Sequence, residues 1–369
     1  MLAVLGNRNI IAHLHFASQN ETINTMNETK NSQRSDRIVI FLGSVEEATS
    51  QQIAEFLSSV YKVSKPTLAR DLRELAKENE IEVLGAGRSV KYRLKSTHPL
   101  LKQVNLDAYF LDEADKRTWA NKKFNENVFH QLPGLFSQEE KAQINKLYKP
   151  LPENPNPREL ERFVIELSWK SSKIEGNTYS LLETETLIKQ FIEADGHSKE
   201  EATMILNHKK AFEQIISHKK EFMKLDMSDV LQLHNAMISG LGVGTGIRNH
   251  KVGISGSVYV PMENEWQLKE SLEKLIKYIN SLEFVLEKAL VTTAMIAYLQ
   301  CFADGNKRTG RMLANAVLIS HGWYPLSYRN VDIVEYKRAL VVFYETNNLL
   351  PFKKLIVDQY KFALETYCL

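Results

Sequence analysis

Residues 284–320 constrain the fold more than any other stretch of the chain. They open with a nearly unbroken apolar run, Phe284 to Leu299, which reads as a buried helix. A second apolar helix resumes near Arg311, and the connection between them is tight, with Gly305 and Asn306 suited to unusual backbone dihedrals. From Arg158 onward the rest of the chain is also strongly helical in pattern. These residues therefore belong to a mainly α domain.

The connecting loop, Phe302-Ala303-Asp304-Gly305-Asn306-Lys307-Arg308-Thr309-Gly310-Arg311, carries chemistry as well as a turn. Backbone N–H groups at the start of the following helix point into the turn and favour an anion. Arg308 and Arg311, three apart, share a face of that first helical turn. Two arginines at a helix N-terminus oppose its dipole, and a bound polyphosphate gives them a reason to be there. Asp304 supplies a hard oxygen ligand for Mg²⁺ shared with the phosphates. At these spacings a nucleotide site accounts for the loop best.

The remaining composition sets limits. The chain has 369 residues, 43% hydrophobic and 25% charged, enough for two or three domains with their own cores. A net charge of +2 gives no global attraction to nucleic acid, so DNA binding requires a local basic patch. Cys301 and Cys368 cannot form a disulfide framework or a structural zinc site, which fits a reducing, cytoplasmic setting. No apolar run reaches the length of a spanning helix, and no membrane partner is expected. The opening MLAVLGNRNIIAHLHF is interrupted by Asn7, Arg8 and Asn9 and lacks a clean cleavage site for a signal peptide. Residues 1–36 read as a disordered N-terminal segment, and Met26 offers an alternative start to Met1.

Residues 37–97 give helix, tight turn, helix and a basic hairpin. Ile53, Phe56, Leu57 and Val60 share one face of the first helix, capped by Thr49 or Ser50. Ser64 caps the second, Pro66 fits its first turn, and Leu68, Leu72 and Leu75 form its buried stripe. Val90, Tyr92 and Leu94 alternate in the hairpin. The order resembles a winged helix-turn-helix, an α+β domain whose second helix enters the major groove while the wing touches phosphates. Lys65, Thr67, Arg70, Arg73, Arg88 and Lys91 are then the expected DNA-binding residues. A solvated face or a protein-binding module is the alternative. Residues 98–157 read as a helical connector ending in a proline-rich linker, KPLPENPNP, and 158–369 as the helical domain. Within the latter, residues 246–261 hold three glycines and alternating Val252, Ile254, Val258 and Val260, the pattern of a β-hairpin.

On these residues the C-terminal domain resembles the Fic family, part of the Fic/Doc superfamily. Fic proteins carry a loop of the form H-x-F-x-[DE]-G-N-[GK]-R-x-x-R, and Phe302, Asp304, Gly305, Asn306, Lys307, Arg308 and Arg311 match it. The likeness spans roughly residues 158–350. SWKSSKIEGN at 168–177 is similar to the family's inhibitory motif, with Ser171, Glu175 and Gly176. The hairpin falls where the family has a flap that aligns a target segment, here Gly253, Ile254, Val258, Tyr259 and Val260. The resemblance implies that ATP and Mg²⁺ are cofactors and that Asp304 holds the metal. It implies that Gly305, Asn306, Lys307, Arg308 and Arg311 hold the phosphates. It also implies that Glu175 competes with ATP for Arg311. The protein partner would offer a Ser, Thr or Tyr hydroxyl.

Two departures bear on activity. Gln300 stands where the family has its catalytic histidine, and an amide is no base near neutral pH. His234 and His250 lie off the motif spacing and are expected to be structural. Lys307 replaces the glycine usual in AMP-transferring members, and GNKR is closer to the NKR of Doc-type phosphotransferases. Two functions remain open on this reading. One is AMP transfer to a protein hydroxyl, autoinhibited by Glu175 and weakened by Gln300. The other is an inactive nucleotide-sensing core that regulates transcription through the winged helix. Homodimerisation is the expected form of self-association.

Overall fold

The computed structural model describes residues 33–58, 60–95 and 98–369. The N-terminal apolar stretch, Met26 and the rest of residues 1–32 lie outside the described residues. The chain divides into two units, one ending at residue 97 and including 102–113, the other formed by 98–101 and 114–369.

The first unit is built from α1 (33–44), β1 (Ala48–Thr49), α2 (Ser50–Ser58), α3 (Lys65–Lys77), β2 (Ile81–Leu84), β3 (Lys91–Leu94) and the single turn α4 (Leu106–Tyr109). The strands form an antiparallel sheet in the order β1-β3-β2, with Ile81 opposite Leu94 and Leu84 opposite Lys91. Ile53, Leu57, Leu68, Leu72 and Leu75, the stripes expected from helical spacing, are buried together with Ile38, Leu42, Ile81 and Leu94. Ser64 accepts from Thr67 N at 3.3 Å and Pro66 sits in the first turn of α3, so this start is capped as its sequence requires. Residues 33–36 depart from the disordered reading and form the first turn of α1. Arg34 is responsible: its guanidinium pairs with the buried Asp71 of α3, Nη2 to Oδ1 at 2.8 Å.

The second unit is mainly helical. It contains α5 (Val128–Gln131), α6 (Gln138–Leu147), α7 (Pro157–Ile174), α8 (Leu181–Gln190), α9 (Lys199–Ser217), α10 (Met227–Ile238), α11 (Glu265–Ser281), α12 (Val285–Leu299), α13 (Asn306–Ser320), α14 (Ile333–Thr346) and α15 (Leu350–Thr366). Every residue of α12 is buried, as a helix apolar on all sides demands. α13 packs directly on it, and Gly310 permits the approach. A Cβ there would stand 3.1 Å from the Thr293 carbonyl oxygen.

Residues 114–157 are not a connector. Val128, Phe129, Leu132, Leu135, Phe136 and Ile144 belong to the same core as α12 and α13. Most of 114–137 is irregular instead of helical, because its backbone groups bond to other elements. Asn121 N donates to Glu345 O at 2.7 Å, and Asn125 N to the Tyr298 hydroxyl at 3.0 Å. The proline-rich stretch is irregular as expected, and Leu151 N ties it to Gly322 O at 2.8 Å.

The β-hairpin expected at 246–261 does not form a ladder. The segment is extended around a turn at Ser255–Gly256, and its backbone is tied outward. Val260 bridges to Lys123, and Ser257 Oγ and Val258 N donate to the Glu345 carboxylate at 2.7 and 3.1 Å. Tyr259 is buried, its hydroxyl donating to Tyr298 O at 2.8 Å, so this residue anchors the segment and does not face a target.

Candidate active site

The site is assembled where α12 ends and α13 begins. Gln300 caps α12 in the left-handed region, φ 50°, and turns the chain into the loop. Both ends of its amide are engaged: Nε2 donates to Ala297 O at 2.7 Å, and Oε1 accepts from Asn306 Nδ2 at 3.1 Å. Asn306 Oδ1 accepts from Phe302 N at 2.9 Å while Nδ2 also donates to Phe302 O at 2.8 Å. This side chain staples the loop from within. Gly305 precedes α13 at φ 78°, and a Cβ would stand 2.9 Å from Ile238 Cγ2.

Arg308 and Arg311 point into the protein behind the loop. Arg308 is buried, with Nη2 on Asp304 Oδ2 at 2.9 Å and Nη1 on Met237 O at 3.4 Å. Arg311 is held on three sides. Nε donates to Ser171 Oγ and Nη2 to Ser171 O, both at 2.9 Å, and Nη1 reaches the Tyr336 hydroxyl at 3.2 Å. Its remaining direction is taken by Glu175, Nη2 to Oε1 at 2.8 Å, and the other carboxylate oxygen meets Lys307 Nζ at 3.0 Å. Glu175 reaches this place because it is the C-cap of α7, and Gly176, φ 102°, lets the chain turn away behind it. Burial opposes its ionisation, but the charges of Arg311 and Lys307 and their hydrogen bonds prevail and bring its pKa down to about 2.

Behind this clamp lies His208, which sequence reasoning missed. Its Nδ1 lies 2.8 Å from Met204 O, where it can only donate, so Nε2 accepts from Ser171 Oγ at 2.8 Å. Ser171 thereby offers its lone pairs to Arg311. Burial, with Arg308 and Arg311 nearby, lowers the His208 pKa to about 3. His234 is also structural. It stacks on Phe302 at 3.7 Å and bonds Thr309 Oγ1 at 3.1 Å, and burial with Arg308 close by brings its pKa to about 4. His250 is exposed and lies off the pocket.

In front of the clamp opens a pocket of about 370 Å³. One wall is the loop from Ala303 to Lys307, with Gln300 and Glu175. A second is the flap segment, Val252 to Ser255. The third, Lys337, Leu340, Val341 and Tyr344 of α14, was not anticipated. Their spacing marks one helix face, but nothing local reveals that this face meets the loop. Arg248 was also missed: Nε donates to Gln300 O at 2.6 Å and pins the flap to the end of α12. Asp304 stands at the mouth, its side chain 64% exposed. One exposed carboxylate beside a helix N-terminus is a donor of the kind Mg²⁺ takes, since Mg²⁺ binds one or two carboxylates and keeps several waters.

Comparison with known proteins agrees with this geometry. Residues 224–318 match the model of the Fic/DOC family. The Fic/DOC match runs from the start of α10 through most of α13 and so includes the whole loop. Relatives named protein adenylyltransferase Fic include one from Drosophila willistoni, 27% identical over 203 residues, and one from Aedes aegypti, 28% identical over 212. These alignments cover 54% and 55% of this chain but only 40% and 41% of the relatives, so the chain spans less than half their length. A Fic family protein from Desulfovibrio desulfuricans G20 shares the fold with a TM-score of 0.50 at 21% identity, over 66% of this chain and 74% of that one.

The expected DNA-binding residues belong to the first unit. Lys65, Arg70 and Arg73 are exposed on α3, whereas Thr67 is half-buried with Oγ1 2.8 Å from Ser64 Oγ in the helix cap. Lys91 is paired with Glu47. The Arg88 side chain lies outside the described residues. Among the described residues no helix is long and apolar enough to cross a membrane.

Proposed function

We propose that the pocket over the Asp304–Lys307 loop binds the phosphates of ATP and that the protein transfers AMP from it to a hydroxyl of another protein. The observation that carries this reading is the Glu175 clamp. A carboxylate held by Arg311 and Lys307 at a helix N-terminus occupies the place of a terminal phosphate, and the two compete for one guanidinium fork. The name shared by the curated relatives agrees with it.

In this reading a Ser, Thr or Tyr oxygen attacks the α-phosphorus, the bond to the bridging oxygen breaks and pyrophosphate leaves. Asp304 would hold Mg²⁺, which when bound would supply positive charge to the phosphates. Lys307 presents its N–H and its cation to the tail, while the Gly305 N–H is taken by Asp304 Oδ1 at 2.6 Å and Gly305 serves by turning the chain. Arg311 takes the terminal phosphate once Glu175 withdraws, and Gly253, Ile254, Val258 and Val260 line up the target. Asn306 and Arg308 act by holding the loop and Asp304. No side chain takes the hydroxyl proton, since the Gln300 amide is no base and both its ends are committed to Ala297 and Asn306, so the proton passes to solvent or to a departing phosphate oxygen. Missing a general base costs about 10²–10⁴-fold, so turnover is slow and positioning supplies most of the rate.

The test is a paired labelling assay with α- and γ-labelled ATP. Glu175→Gly should bind Mg²⁺-ATP more tightly than the native protein, and Gln300→His in that background should raise α-label incorporation by about 10²-fold or more. Incorporation of γ-label instead would identify phosphate transfer, and equal labelling by the glutamine and histidine forms would remove Gln300 from the argument.

A second reading concerns the first unit, which we read as a winged helix-turn-helix that binds DNA and couples it to nucleotide occupancy. The exposed row of Lys65, Arg70 and Arg73 on α3, beside the β2–β3 pair, favours it. Replacing all three with alanine should weaken duplex binding and flatten its salt dependence. Failure of the native protein to bind duplex DNA at low salt would reject it.

A further inference from the structure

A second group of cations surrounds Trp169, a residue of α7. Trp169 and Lys173, four apart, lie on the side of that helix opposite Ser171 and Glu175. Arg329 Cζ, Lys173 Nζ and Lys170 Nζ stand 4.9, 5.2 and 5.4 Å from the centroid of the indole. The ring itself is fixed, its Nε1 donating to Tyr179 O at 3.1 Å. None of the three cations lines the pocket over the Asp304–Lys307 loop.

Lys170 is the member that most needs a ligand. It is only 9% exposed, yet its Nζ has no hydrogen-bond or ion-pair partner among the described residues. An ammonium carries three donors, and a buried charge left unpaired is strongly destabilising. Burial, with Arg329 and Lys173 close by, pushes its pKa below the ordinary value, against the pull of Asp332. The nearby carboxylates are otherwise engaged. Asp332 caps α14, its Oδ1 accepting from Glu335 N at 2.9 Å, and it makes no ion pair with Lys170. Glu166 accepts from the Tyr367 hydroxyl at 2.5 Å and stands 3.7 Å from Arg329 Nε, too far for a hydrogen bond. A guanidinium fork beside two ammonium groups suits a compact anion with several oxygens. Phosphate meets the fork with two of them and the point charges with the others.

We propose that Lys170, Lys173 and Arg329 form a binding site for a phosphate-type oxyanion. Bound there, the anion ties α7 to the turn that leads into α14. Those two helices also hold Arg311, through Ser171 and Glu175 on one and Tyr336 on the other. The inference does not depend on the nucleotide reading.

The experiment labels the protein with 5-fluorotryptophan and follows the Trp169 fluorine resonance, assigned with Trp169→Phe, as inorganic phosphate is added without Mg²⁺. Sodium chloride at matched ionic strength is the control. The expected result is a saturable shift with phosphate alone, with affinity about tenfold or more weaker in Lys170→Met and in Arg329→Gln. Lys170→Met keeps the aliphatic stem and Arg329→Gln changes a half-exposed position, so either variant serves if the other folds poorly. In Lys307→Met, which alters the loop, the shift should persist with native affinity. An unmoved Trp169 resonance, an equal shift with chloride, or native phosphate affinity in the Lys170 and Arg329 variants overturns the inference. Loss of the shift in Lys307→Met also overturns it, by placing the anion at the pocket.

Discussion

At the scale of single residues the site is decided by which cation holds which carboxylate. Glu175 is the residue whose charge state matters most, and its pKa of about 2 lies below the ordinary 4.5. A carboxylate depressed in the folded state contributes stability that is complete above its unfolded pKa and is lost as pH falls through the folded one. The clamp is therefore intact throughout the neutral and mildly acidic range. The ratio of ATP affinities between Glu175→Gly and the native protein should stay constant from pH 8 to pH 5, measured by calorimetry in a common buffer. A ratio collapsing toward one near pH 5 would mean that Glu175 titrates as an ordinary carboxylate. The participants in this pairing were legible in sequence because each lies in a short motif with its own chemistry. The directions were not. Asn306 and Arg308 turn inward to bond the loop and Met237 O, which no spacing rule reveals. Tyr336 bonds Arg311 directly and His208 orients Ser171 toward it, both from helices that have no motif.

At the scale of elements, the α12–loop–α13 hairpin follows directly from its composition, and Gly305 is its most sensitive point. The backbone there is left-handed and its missing side chain faces Ile238. Gly305→Ala should destabilise the protein by about 1–3 kcal/mol, combining backbone strain with overpacking. Chemical denaturation would measure it, and a loss below a few tenths would indicate that α10 moves aside freely. The flap was the element least legible from sequence. Alternating valines and isoleucines between glycines describe an extended chain correctly, but they do not say what it pairs with. Here its backbone is satisfied by Lys122, Glu345 and Arg117 instead of a neighbouring strand. The α14 face went unread for a related reason: a helix pattern gives a buried side, and only tertiary contact says which part of it meets ligand.

At the scale of the whole molecule, the mainly α character was readable from periodicity and capping, and the place of the loop from its turn residues. The boundary between units was not. Few large apolar residues mark 114–137, so it looked like a connector, yet those few are buried deep. Arg117 from this segment lies against Glu345 of α14, Nε to Oε2 at 2.8 Å, and also reaches Gly256 O at 2.5 Å. That contact decides where the molecule can be cut. A fragment begun at residue 158, where the helical pattern starts, would remove the guanidinium that faces a fully buried carboxylate. It would also strip Phe129, Leu132 and Phe136 from the core. The smallest piece that retains both the Asp304–Lys307 loop and the anchorage of its flap begins before Arg117, so a truncation that spares every motif residue would still dismantle the pocket.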